Sequence, residues 1–186
     1  MLYENPEAVP AGEPSGAVAT ATGVLALSGA AVNLIGVGRL GLDFLDDPGR
    51  FDNSLACITL LGGFLTAVML TYGAVLLSRR DETGRFTVIV AAGVWAAIGA
   101  IGLVLALIGY EFEYGVHWFT QSGRLAESLF AITGIAGAVT AFLAADWVAD
   151  LAALILPLLT AFVASSRYTA RWVGASRSPG YRLPTR

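Results

Sequence analysis

Two carboxylates, Asp146 and Asp150, stand four residues apart inside the apolar stretch from Ser128 to Ser166. On a helix that spacing puts both on one face. A carboxylate at the centre of a bilayer costs about 3 kcal/mol on insertion scales, so the pair needs a function or a wet location. As an exchange site, two neighbouring carboxylates resist double ionisation and let one bind a proton or a small cation. As a span boundary, both acids lie in water where the last crossing begins, with Trp147 anchoring at headgroup level. The uncharged run Leu151 to Ala164 that follows favours the boundary, and Asp146 and Asp150 stand as the candidate proton or cation site.

Other groups could do chemistry. Glu111, Glu113 and His117 are of types that ligate zinc, but their spacing fits no standard zinc motif, and Tyr110, Tyr114 and Trp118 among them favour an interfacial loop. Asp43, Asp46, Asp47 and Asp52 lack the alternating ligands, central Gly and final Glu of a calcium loop, which leaves a solvated acidic segment. Arg167 and Arg171, at the head of an arginine-rich tail, could hold anionic lipid headgroups or fix orientation. Cys57 is the only cysteine, so no intramolecular disulfide forms, and it is expected to be a small core residue. No phosphate-binding glycine loop, dinucleotide fingerprint, HExxH or GxSxG occurs, and no cofactor or catalytic activity is expected. A net charge of -3 without a basic face argues against nucleic acid as a partner.

The elements that carry these residues belong in a membrane. Hydrophobic residues make up 56% and charged residues 13%, against about half and a quarter in soluble domains. The apolar residues also come in blocks of the roughly 20 residues needed to cross about 30 Å of hydrocarbon. These blocks predict an all-α, polytopic transmembrane bundle with spans at about 17–37, 54–77, 86–109 and 147–166. Before the first lies an acidic, proline-rich tail, 1–16, and after the last an arginine-rich tail, 167–186. Gly38 to Asn53 reads as an aqueous loop, and the connector from Arg79 to Arg85 as a tight turn.

Residues 128–145 form an additional helix that could lie on the membrane, re-enter it or cross it. The arginines arbitrate, because cytoplasmic loops are enriched in them. Four spans place Arg79, Arg80, Arg85, Arg167, Arg171, Arg177, Arg182 and Arg186 on one side and Arg39, Arg50 and Arg124 on the other. Five spans would export the arginine-rich tail, so four are expected, with both termini cytoplasmic in a cell membrane.

Span one is rich in Ala, Gly, Thr and Ser around Asn33, which suits close helix packing. Gly29, Gly99, Gly134 and Gly137 are the candidate packing glycines. The pattern GVxAxxGA occurs at Gly23 to Ala30 and again at Gly93 to Ala100, compatible with a duplication or with the restricted composition of membrane helices. Small-residue faces point to an accessory or assembly subunit of a membrane complex, with lipid and other subunits or itself as partners. The alternative is a small homo-oligomeric transporter or channel built on Asp146 and Asp150, with Asn33 as a further polar group.

Overall fold

A computed structural model describes residues 16–50, 53–110, 129–144 and 146–174. The described chain is all-helical: α1 Ala17–Asp46, α2 Asn53–Ser78, α3 Glu82–Leu107, α4 Gly134–Ala144, α5 Trp147–Ser165 and α6 Arg167–Gly174, with a 3-10 turn at Pro48–Arg50. Four of these, α1, α2, α3 and α5, are long and apolar enough to cross a membrane. The chain is a multi-pass integral membrane protein. Its large apolar side chains point outward, as Phe162, Leu45 and Ile58 do, while its interior is mostly Ala, Gly and Thr. That inversion of the soluble pattern fits a bundle surrounded by lipid, where small residues let helices approach closely.

The spans alternate in direction. Gly29 meets Leu70 and Gly63 meets Val37, so α1 and α2 are antiparallel. Gly99 meets Leu154, and Arg85 donates from Nε to the Ala164 carbonyl at 3.0 Å and from a terminal nitrogen to that of Ser165 at 3.4 Å, so α3 and α5 are antiparallel too. One end of the bundle thus gathers Arg79, Arg80, Arg85 and α6, and the other gathers Asp46, Asp47 and Asp146. They are called the arginine end and the acidic end below. The two GVxAxxGA copies play matching parts: Gly23 and Gly93 face open space, while Gly29 and Gly99 each press on a leucine of the antiparallel neighbour. The Arg85 guanidinium ties the last carbonyls of α5, where a cation also suits the helix dipole. Arg85→Gln should therefore lower stability by about 1 kcal/mol, read as a depressed thermal midpoint in detergent. An unchanged midpoint would show the ties to be dispensable.

Two boundaries differ from the sequence reading. α1 does not stop at Val37 but continues to Asp46, because Gly36, Leu40 and Phe44 prolong one inward face while Arg39 and Leu42 turn outward. The first half of the stretch read as a loop, up to Asp46, is therefore helix, and α1 reaches about 45 Å at 1.5 Å per residue. α3 begins at Glu82, capped by Asp81, whose carboxylate accepts from the Thr83 N–H at 2.8 Å. The turn is only Arg79 to Asp81. It closes by bonds from Arg80 N–H to Leu77 O and from Asp81 N–H to Leu76 O, with Arg80 at φ 61°, a left-handed helix terminus occupied by a residue other than glycine.

The segment before the last span re-enters the bundle. Phe130 lies beneath the Arg39 guanidinium, Thr133 against Gly36, and Gly134 against Asn33. Residues 130–134 thus run down α1 from the acidic end to its middle. There the chain reverses: Thr133 bonds back to the Phe130 carbonyl through both its N–H and its hydroxyl, and Gly134 adopts φ 80°, open to glycine at little cost. α4 then climbs back. Its 11 residues cover about 16 Å, half of a hydrocarbon core. It contacts all four spans and fills the acidic half of the bundle. Asn33 fixes the tip. Its amide donates to Gly29 O at 2.8 Å, and its carbonyl accepts from the Ile135 N–H at 3.0 Å, one of the orphan donors at a helix start.

Candidate functional site

The structure gives the two carboxylates different work. Asp146 caps α5, accepting from the Val148 N–H at 2.9 Å and the Ala149 N–H at 3.4 Å, and stands where the last span starts. Asp150 is one turn further in, on the face that α5 buries through Ala149, Ala153, Leu154, Pro157, Thr160 and Ala164. Its side chain is 0% exposed, and neither carboxylate oxygen has a hydrogen-bond partner among the described residues. The expectation that both acids lie in water is thus corrected for Asp150. The sequence placed the boundary at the pair, whereas the helix starts between its members and rotates the second inward.

The carboxyl of Asp150 occupies space left by a glycine. A Cβ on Gly102 of α3 would come within 2.6 Å of Oδ1 and 3.1 Å of the Phe142 Cβ on α4. Three helices therefore enclose the group, and α4 is present there only because the re-entrant turn delivers it. The amino end of α5 offers its dipole, worth about 1 kcal/mol to a negative charge. Burying an unpartnered carboxylate costs several times that. The arrangement suits a proton on the carboxyl or a small cation beside it. Two other buried polar groups among the described residues lack partners, the Thr59 hydroxyl and the Trp95 indole N–H, and neither carries charge.

The remaining candidates fall elsewhere. Gly29, Gly99, Gly134 and Gly137 all sit at close approaches, the last against the carbonyls of Phe130 and Ala131 inside the re-entrant turn. Arg167 and Arg171 are exposed on α6, a short helix whose Thr169 and Val173 are buried against the bundle. The Thr169 hydroxyl donates to Val163 O at 3.0 Å and lies 3.4 Å from that of Thr22, which anchors α6 beneath α1. Cys57 is exposed, contrary to expectation, because the buried face of α2 runs through the neighbouring Ala56, then Thr59, Gly63 and Thr66. Glu111, Glu113, His117 and Asp52 lie outside the described residues. Among the described residues no three His, Cys, Asp or Glu side chains gather as metal ligands. Asn33 was legible as a buried amide, but its role as a staple was not, since its partner is 102 positions away. Comparison with known protein families, with curated proteins and with solved structures finds no match.

Proposed function

We propose that the protein is a small membrane carrier of protons, or of the cation that can replace a proton, with Asp150 as the exchanging group. The observation that carries this reading is a fully buried carboxyl, without a hydrogen-bond partner among the described residues, inside a membrane bundle. Ionisable groups are retained in such places chiefly for ion pathways and proton relays. Asp146 serves as the helix cap that sets where Asp150 falls. The arginine end lies in the cytoplasm on this reading, following the bias of arginines across the membrane. In proteoliposomes under an imposed pH gradient, the wild type should dissipate the gradient faster than protein-free vesicles, and Asp150→Asn should return the rate to that baseline. A wild type no faster than empty vesicles, or an unimpaired Asp150→Asn, would exclude the carrier.

A second reading, an assembly subunit in a larger complex, is favoured by the outward face of α1. There Ala21, Ser28, Ala31 and Gly38 expose small side chains between Val24, Leu27, Leu34 and Ile35, leaving gaps that a neighbouring helix can enter. Purification in mild detergent should then retain a stoichiometric partner, or a second copy, that Ala31→Leu releases. A monomer throughout would remove this reading.

A further inference from the structure

The arginine end carries a groove that neither reading of the function uses. It is about 360 Å³ in volume and lies between the ends of α1 and α2, with Thr20, Gly23 and Leu27 on one wall, Val75 and Ser78 on the other, and Trp172 of α6 across its end. The two hydroxyls in it are already engaged. Thr20 donates to the Gly16 carbonyl at 3.0 Å and Ser78 to that of Val75 at 2.7 Å, so both walls present an apolar surface to an occupant. Its floor is fixed, because the Trp172 ring lies under the Arg80 guanidinium at 3.9 Å and against Gly16.

The same end of the bundle is basic: the Arg80 guanidinium covers the Trp172 ring, and Arg79 and Arg171, each next in sequence to a lining residue, are exposed. Among the described charged residues of this end, Arg79, Arg80, Arg85, Arg167 and Arg171 stand against Asp81 and Glu82, five positive charges against two negative. An apolar slot on the lipid-facing side of two spans, ending at an indole at the arginine-rich end of the bundle, matches one kind of molecule. The slot takes a hydrocarbon chain, the indole marks the headgroup level, and the arginines take a phosphate.

We propose that this groove binds an acyl chain of an anionic phospholipid, whose phosphate is held by Arg79 and Arg171. Gly23 supplies a clean test. A Cβ added there meets none of the described residues within 4 Å, so Gly23→Leu fills the slot without disturbing the helices, and Gly93 on α3 is equally open away from the slot. The purified protein is incubated with mixed micelles containing phosphatidylglycerol or phosphatidylcholine, and retained lipid is counted by native mass spectrometry. The wild type and Gly93→Leu should each keep one phosphatidylglycerol in preference to phosphatidylcholine, and Gly23→Leu should retain it about tenfold less. The double variant Arg79→Gln, Arg171→Gln leaves the slot intact and should lose the preference for the anionic lipid by about tenfold or more. Equal retention of the two lipids by the wild type, or undiminished retention by either slot or arginine variant, would overturn the proposal.

Discussion

Gly36→Leu should prevent the re-entrant turn from docking, whereas Gly38→Leu, two residues along the same helix, should be tolerated. At Gly36 the backbone of α1 touches the Thr133 carbonyl, and a side chain has no flexible atom to push aside. At Gly38 an added Cβ meets nothing within 4 Å. A blocked turn would expose Phe130, Ile135 and Ala138, which are all buried, and would leave the Ile135 N–H without the Asn33 carbonyl. Overpacking costs about 1–3 kcal/mol and an unpaired buried donor about 1–3 kcal/mol more, together enough to remove most of the folded fraction of a marginal protein. Monodisperse yield in detergent and the thermal midpoint should both collapse for Gly36→Leu alone. Asn33→Ala, which removes only the hydrogen bond, should fall between. Equal behaviour of the two glycine variants would mean that the turn does not pack against α1.

Asp150→Asn should separate stability from function. Asn removes the buried charge that the carboxyl carries once its proton or cation has left, so under conditions that ionise Asp150 stability should rise by about 1–3 kcal/mol while ion exchange is lost, the signature of a residue kept for work and not for folding. Gly102→Ala should reach the same functional end by another route, since its methyl group displaces the carboxyl while leaving every charge in place. Thermal midpoint and vesicle flux measured on the same preparations check both variants. A destabilised Asp150→Asn would point to a structural role for the carboxylate, and full flux in Gly102→Ala would show that its position is immaterial.

Span number and span type were legible because they depend on local composition. Runs such as Phe86 to Gly109 are uncharged over the length of a bilayer, and only helices satisfy their backbone there. The extra length of α1 was not legible, since Arg39, Asp43 and Asp46 break the apolar run and the inward row Gly36, Leu40 and Phe44 is short. The re-entrant turn depends on contacts about 100 residues apart in sequence, Asn33 with Ile135 and Gly36 with Thr133, which no local pattern encodes. For the carboxylates the spacing was readable, but their environments were not. Asp146 and Asp150 differ by one helical turn, and which of them faces water depends on where the cap falls. A signal was present: Asp followed by an apolar run is an N-cap pattern, and placing it at Asp146 turns Asp150 into the first turn of the span.

Side-specific labelling tests the four-crossing architecture with a re-entrant α4 most directly. Single cysteines are placed at Asp47, Arg79, Ala144 and Gly174 in a Cys57→Ser background, and intact cells or sealed vesicles are treated with a membrane-impermeant maleimide. The cysteines replacing Asp47 and Ala144 should react from one side, and those replacing Arg79 and Gly174 only from the other. Labelling at position 144 from the Arg79 side, or at position 174 from the Asp47 side, would mean that residues 129–144 cross the membrane and would contradict the re-entrant fold.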